Sequence, residues 1–547
     1  MGIRELMGVP GQDQETWLRI QVPVVLLCCI VGFPVFWVLL DYVRILRLRQ
    51  RMPPGPFPLP LVGNFFAIPK IKPWIHFEQW AEYYGNPMTT IWNGHRPIIV
   101  CNDIWSISDL LDKRAAIYSS RARMVVMGDC LNQSDSNQVN LVYGDRWRLH
   151  RRIMHTAVGS QAVRNYRSFQ SDESKVLARD LYEKPYDMVM AIERYSCSTV
   201  SVIGWGRRID RVNDYVAQAA LGFMEGVDYI IPGLFIMEAI PALFTLPRWV
   251  YPLPSKILES AKKFQRYFYA LSKEATESKA DNFAKRLLRD QEQMGLRDEE
   301  VAAMTANLIG GGVDTTSSST LSFVLAMCVF RDVQQRAQEE IDSVVGQERS
   351  PDWSDETSLP YVKALVSEVL RWRTVTILGG IPHAPIQDDE YKGYFIPKDT
   401  SITGNVWAIH RNPREFPEPD AFRPERFLNG LERPYPNKQG HNAFGWGRRQ
   451  CSGQPLAEQG LFITIARLLW AFDIKPGLDE EGNEVKLDIF AYTKSENMRP
   501  EPFKARFIPR SEEIKRVLLD DARIARESLR QYDGETKLTV ENTAQAI

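Results

Sequence analysis

A single cysteine near the C-terminus constrains this chain more than any other feature. Residues 444–457 read Phe-Gly-Trp-Gly-Arg-Arg-Gln-Cys-Ser-Gly-Gln-Pro-Leu-Ala. Cys451 sits in a glycine-rich loop, beside Arg448 and Arg449, just before an apolar run that reads as a helix. The glycines permit turns and close approaches that a Cβ would block. The arginines and the N-terminus of the following helix supply positive potential, which favours thiolate over thiol. A thiolate so placed is a nucleophile or a metal ligand. An isolated cysteine is more often a small buried hydrophobe. Here Phe444, Gly447, Arg449, Cys451 and Gly453 each have a chemical reason for their place, which argues against that bland reading.

The chain has 547 residues, enough for a large core. Hydrophobic residues make up 44% and charged residues 25%, as in ordinary globular proteins. A net charge of −1 gives no sign of a nucleic-acid partner. The seven cysteines are scattered and form no C-x-x-C pair. Such a set fits a reducing compartment and argues against disulfides and structural zinc. Residues 20–40 carry no charge, and a helix of that length matches the thickness of a bilayer core. Arg44, Arg47, Arg49 and Arg51 follow, with no small-residue cleavage site, so a single transmembrane anchor is expected, with the bulk of the chain in the cytosol. The expected organisation is an N-terminal tail over 1–19, the anchor over 20–40, a basic and proline-rich linker over 41–60, a catalytic body over 61–510 and a charged tail over 511–547.

Within the body, Met88–Trp92 and Pro97–Cys101 read as strands of a small sheet. Helical periodicity recurs around 141–157, 255–295, 330–345 and 361–373, and strand-like pieces return around 392–404 and 488–508. The fold is therefore expected to be mostly α with small β-sheets. Ser511–Asp533 reads as a solvated surface helix, with disorder expected beyond Gly534.

Three further constellations carry chemistry. Val301–Phe330 holds one charge, Asp314, beside Gly310, Gly311 and Gly312 and a run of hydroxyls from Thr315 to Ser319. Apolar flanks argue against a linker, and the glycines and hydroxyls against a membrane span. A long buried helix fits better. Each interior glycine costs about 1 kcal/mol against alanine, so glycines persist where backbone must lie close to something flat or leave room for a ligand. A lone acid and a hydroxyl beside such a gap, Asp314 and Thr315, form a proton-delivery pair. Glu368 and Arg371, at i and i+3, share a helix face amid apolar residues, so the pair can be buried. On 143–152, Trp147 and Arg151 share a face, with Arg148 and Arg152 on the adjacent one.

These elements, in this order, resemble the cytochrome P450 family. The cysteine loop resembles the loop whose sulfur is the axial ligand of haem iron. Gly311-Gly312-Val313-Asp314-Thr315-Thr316 resembles the oxygen-activation motif, with Asp314 at the acid and Thr315 at the alcohol. Glu368-x-x-Arg371 and Pro424-Glu425-Arg426-Phe427 resemble two elements that meet as a buried triad, Glu368, Arg371 and Arg426, holding the cysteine loop. Trp147-x-x-x-Arg151 resembles the helix that contacts a haem propionate, and His383 falls where the family often places another propionate partner. Pro53-Pro54-Gly55-Pro56 resembles the hinge of membrane-bound members. Ser452 and Pro455 depart from the residues more usual in the loop.

The resemblance implies a haem b cofactor bound by Cys451, Trp147, Arg151, His383, Arg449 and Phe444. Electrons would come from NADPH through a cytochrome P450 reductase, and the anchor would lie in the endoplasmic reticulum. The reaction implied is insertion of one oxygen atom from O2 into a lipophilic small molecule, in the manner of filamentous-fungal members acting in secondary metabolism. A haem-thiolate dehydratase or isomerase working without external electrons, and a haem electron carrier or sensor, are the alternatives. Arg146, Arg148 and Arg152 are expected to face outward as a dock for an acidic electron donor. The pocket is expected to be lined by 118–135, 220–245, 303–315, 377–383 and 493–503, with Phe223, Met224, Phe235, Met237 and Met304 among the apolar contacts.

Overall fold

The computed structural model describes residues 32–545, except 212, 429, 430 and 432. The chain is mostly helical, with three small sheets. Helices of ten residues or more are numbered here: α1 (32–49), α2 (Pro73–Tyr84), α3 (Asp145–Val158), α4 (Arg167–Glu183), α5 (Met188–Trp205), α6 (Tyr215–Met224), α7 (Leu253–Glu274), α8 (Asp298–Val329), α9 (Arg331–Val344), α10 (Pro360–Trp372), α11 (Gln454–Ala471) and α12 (Glu512–Leu529).

The 32-residue α8 runs through the centre of the body and is buried along most of its length. It begins with Asp298, Glu299 and Glu300, which complement the positive end of the helix dipole. Hydroxyls from Thr315, Ser319 and Thr320 donate to carbonyls four residues earlier, satisfying them inside the apolar body. Its first half packs with α5, α6 and α7 in one apolar cluster, and its second half with α10 and α11 in another. Two of its glycines are set by packing. A Cβ at Gly312 would overlap Val200 of α5, and one at Gly310 would lie 2.7 Å from the Met224 sulfur of α6.

Strand β1 (Met88–Asn93) pairs antiparallel with β2 (Arg96–Cys101), as the alternating pattern anticipates. β3 (Asp389–Tyr391) and β4 (Tyr394–Ile396) form a hairpin whose turn residues, Lys392 and Gly393, both have positive φ, the turn geometry that matches strand twist. β5 (Ser401–Gly404) pairs in parallel with β2, tying the last third of the chain to the first. β6 (Phe472–Pro476) continues directly from α11 and pairs antiparallel with β7 (Ala505–Pro509).

Three expectations are corrected. The helical run 255–295 is two helices, α7 and Phe283–Arg289, because the Asn282 side chain accepts from the Lys285 amide and starts a new helix. The segment 511–547 is not a separate charged tail. α12 buries Ile514, Val517, Leu518, Ala522, Ala525 and Leu529, spaced for one face, and packs on α4. Residues 535–545 are ordered too: Leu538 and Val540 pack on the cluster of α5, α6 and α7, and the short helix Val540–Gln545 lies on α7. That stretch is too short and too polar for periodicity to reveal its docking. The basic segment after residue 41 is likewise not a free linker. It continues α1, buries Ile45 and Met52, and is fastened where the Tyr42 hydroxyl donates to Pro58 O (2.9 Å) and Arg49 to Gly55 O (2.9 Å).

Most of the expected anchor, residues 20–31, lies outside the described residues. Residues 32–40 are helical and expose Phe33, Phe36, Trp37 and Leu39. Among the described residues, no single helix is long and apolar enough to cross a membrane.

Candidate active site

A cavity of about 430 Å³ lies between α8 and the cysteine loop. Cys451, Phe444, Trp147, Arg151, His383, Arg449 and Thr315 all line it, although they come from four separate segments of the sequence.

The loop that presents Cys451 is built from backbone. The Cys451 amide donates to Phe444 O (2.9 Å), closing the loop, and Gly447 takes φ 54° with its α-carbon against Leu111 O, where a Cβ would collide. Cys451 is exposed to the cavity that it lines. Burial pushes its thiol up; the Gly453 amide, the Arg151 guanidinium and the Gln454 amide pull the other way. Those donors await an anionic sulfur, and a bound cation would complete the shift to thiolate.

Around the same cavity stand three guanidiniums with no carboxylate partner among the described residues. Arg449 donates to the carbonyls of Ser119 (2.8 Å), Gln138 (3.0 Å) and Leu141 (2.6 Å) and stacks over the Trp147 ring at 4.6 Å. Arg151 donates to the Ser452 hydroxyl (2.7 Å). Arg121, which sequence reasoning missed, donates to the carbonyls of Val139, Ile381 and Pro382. Burial pulls Arg121 down to about 9; burial, then repulsion from Arg121 and Arg151, pulls Arg449 down to about 8. Charges buried without partners are expensive, so this cluster is built for an anion. The buried Trp147 Nε1 also has no partner. His383 is buried, its Nδ1 2.9 Å from Tyr118 O, and burial keeps the ring neutral. The proton therefore sits on Nδ1 in this state.

Opposite the sulfur, a Cβ on Gly311 would meet nothing within 4 Å, so α8 leaves a flat opening there. The Thr315 hydroxyl, at the cavity, donates to Gly311 O (2.6 Å) and keeps its lone pairs toward the opening. Asp314 points aside: it accepts from Asn497 Nδ2 (2.7 Å), and Asn497 accepts from Thr376 (3.1 Å). Burial raises the Asp314 carboxyl, opposed by Asn497 and Arg499. A haem fits these residues: a sulfur donor below, an open glycine face above, and three arginines and an indole N–H at the edge for two propionates.

The triad supports the loop indirectly. Arg371 forks onto the fully buried Glu368 through two bonds of 2.7 Å, and the Arg423 amide adds a third at 2.8 Å. Arg426 lies farther, at 3.5 Å. Arg371 also donates to His410 O and Pro419 O, both at 2.9 Å, and His410 Nε2 accepts from the Asn442 amide (2.9 Å), two residues before Phe444. His410 is thus the link from triad to cysteine loop, and no motif flags it.

Arg146 does not face outward as expected. It pairs with the buried Glu300 of α8, which also takes His150 Nε2 at 2.9 Å, because the acid otherwise lies uncompensated inside the body. Arg148 and Arg152 are exposed. Phe223 and Met224 line the cavity, but Phe235, Met237 and Met304 do not; they fill apolar clusters elsewhere. Helix α5 supplies a further wall through Tyr195, Thr199 and Val200, which no motif in the sequence marks.

A family model for cytochrome P450 matches residues 53–498. Similar proteins include cytochrome P450 monooxygenase 58 of Postia placenta, 34% identical over 494 residues, 86% of this chain and 91% of the relative. Cytochrome P450 monooxygenase 105 of the same fungus is 36% identical over 487 residues, 87% and 92% of the two chains. Cytochrome P450 monooxygenase virE of Hypocrea virens is 35% identical over 487 residues, 86% and 87% of the two. The fold and pocket are those of a haem-thiolate protein, and this chain belongs to the cytochrome P450 family. It is a monooxygenase, an oxidoreductase that uses molecular oxygen.

Proposed function

We propose that this protein is a membrane-anchored haem-thiolate monooxygenase that oxidises a lipophilic small molecule in secondary-metabolite biosynthesis. The carrying observation is that Cys451 and the Gly311–Thr315 opening face one another across a cavity edged by unpaired arginines. Bound there, haem would supply the activation of O2 by two electrons. Cys451 would ligate the iron. Arg121, Arg151, Arg449 and Trp147 would hold the propionates, with the neutral His383 ring joining them once its proton moves from Nδ1 to Nε2. Phe444 would close the thiolate side against water. The Thr315 hydroxyl would turn its proton from Gly311 O toward the opening, and Asp314 would resupply it when its carboxyl turns from Asn497. The triad of Glu368, Arg371 and Arg426 would keep the loop in register.

Electrons would come from NADPH through a flavin reductase docking on Arg148 and Arg152, the exposed arginines of α3. The apolar surface of residues 32–40 supports an anchor over 20–40, set in the endoplasmic reticulum with the body over 61–510 in the cytosol. The named fungal relatives support the place in secondary metabolism. The intact acid–alcohol pair, with Thr315 at the cavity and Asp314 beside it, favours oxygen insertion over an electron-independent dehydratase or isomerase, and the cavity itself favours an enzyme over an electron carrier. The reduced protein should give a thiolate-type CO spectrum and consume O2 with NADPH when reductase is added. Cys451→Ser should abolish both; survival of the spectrum in that variant refutes the assignment.

A further inference from the structure

The wall of the cavity beside α8 is not wholly apolar. Gln133, Asn137 and Asn307 meet there. Backbone groups orient the Asn137 and Asn140 carboxamides, and these two orient Gln133 and Asn307 in turn. The Val139 amide donates to Asn137 Oδ1 (3.1 Å), so that atom is oxygen and its neighbour on the side chain is nitrogen. Asn137 Nδ2 then donates to Gln133 Oε1 (2.9 Å), and Asn307 Nδ2 donates to Asn137 Oδ1 (2.7 Å). A second line agrees: Asn140 Nδ2 donates to the Met127 carbonyl (3.1 Å) and, with its other hydrogen, toward Gln133 Oε1 (3.4 Å).

The Gln133 oxygen is therefore doubly occupied, and its Nε2 is turned away from both donors. That nitrogen has no partner among the described residues, although Gln133 is 7% exposed and lines the cavity. Asn307 keeps one further N–H. Both donors face the cavity, where only its occupant can accept from them, so the site is complete only when something there does. The only ionised side chains on the cavity wall are Arg121, Arg151 and Arg449, which the haem edge uses, so nothing remains there to pair with a charged substrate. Leu131, Phe223, Met224, Ile230 and Leu308 make up the neighbouring surface.

Resting on the monooxygenase reading above, we propose that the substrate is a neutral lipophile carrying a carbonyl or other acceptor oxygen, which docks on Gln133 Nε2 and Asn307 Nδ2. Asn307 lies one turn from Gly311 and two from Thr315 on the same helix face, about 12 Å from Thr315 along the axis. The oxidised carbon then lies at the far end of the molecule from the acceptor oxygen.

The test uses haem-loaded full-length protein and spectral titration with two matched pairs of probes: 5α-androstan-3-one against 5α-androstane, and 2-decalone against decalin. In at least one pair the ketone should bind about tenfold more tightly than its hydrocarbon, the size of one net hydrogen bond to a buried donor. Gln133→Met, similar in length but without donors, should remove that preference while leaving the CO spectrum unchanged. If Gln133→Met fails to load haem, Asn307→Leu provides the second variant with the same expectation. Equal or undetectable preference in both pairs, or a preference that survives loss of the donor, overturns the proposal. Absence of a thiolate CO spectrum in the unsubstituted protein would instead overturn the monooxygenase reading on which it rests.

Discussion

Replacing Glu368 with glutamine removes the one negative charge that two buried arginines share. Arg371 is 1% exposed and Arg426 4%. Arg371 would lose both charge-assisted bonds of 2.7 Å and keep its neutral contacts to His410 O, Pro419 O and, at 3.4 Å, Ala421 O. Leaving a buried charge uncompensated costs about 3–5 kcal/mol. With about 2.1 cal/mol/K of unfolding entropy per residue over the 510 described residues, the entropy is about 1 kcal/mol/K, so Tm should fall by about 3–5 °C. Arg426→Met should cost much less, about 1 kcal/mol, because its contact with Glu368 is 3.5 Å and Glu368 keeps the Arg371 fork and the Arg423 amide. Thermal unfolding of the three proteins in parallel measures the ordering. The CO spectrum of the same samples reads the consequence: since Arg371 and His410 lead to the Asn442 amide, Glu368→Gln should convert part of the thiolate band to a form lacking thiolate. A Tm within about 1 °C of the parent, or equal losses for Glu368→Gln and Arg426→Met, would refute the reasoning.

Thr315→Ala removes the hydroxyl at the opening without touching a ligand or ion pair, so haem content should hold while product per NADPH falls and hydrogen peroxide rises; an unchanged ratio would assign proton delivery to water. Burial alone would raise the Glu300 carboxyl, but bonds from Arg146, the Arg297 amide and His150 outweigh it and hold it at about 2. Its folded value lies below its ordinary 4.5, so its stabilisation is present above that value and is lost as pH falls toward 2. The Tm gap between the parent and Glu300→Gln should accordingly be widest near about pH 6 and narrow below about pH 4.5; a constant gap would show that charge is not the source. Deleting residues 1–40 should release the protein from membranes with its fold intact. Deleting 1–50 should in addition lower Tm, because it removes the buried Ile45 and the Arg49 bond to Gly55 O; firm membrane retention of the shorter deletion would place the attachment elsewhere.

Wherever an interaction is local in sequence, the residues alone announced it. The cysteine loop closes over seven residues, from Phe444 to Cys451, and Glu368 meets Arg371 within one helical turn. The long apolar run 301–330 with its glycines and lone acid could be read as the central helix because a buried helix needs no partner pattern beyond its own composition. The strands β1 and β2 were legible for the same reason, since alternation is a property of the strand itself.

What only the tertiary structure decided was which distant polar groups meet, because pairing across the body leaves no periodic trace. Arg121, at the haem edge, is one arginine among many until it stands beside Arg449 and Arg151 with no carboxylate to answer it. Arg146 looked like a surface charge until Glu300, 154 residues away, came to lie beneath it. The carboxamides of Gln133 and Asn307 are ordinary polar residues in the sequence, and only their meeting across a gap of more than 170 positions, through Asn137, leaves a buried donor facing the cavity. The sequence therefore determined the chemistry of the haem site. The long-range contacts, which depend on how the helices pack rather than on any one of them, determined what that site is shaped to receive.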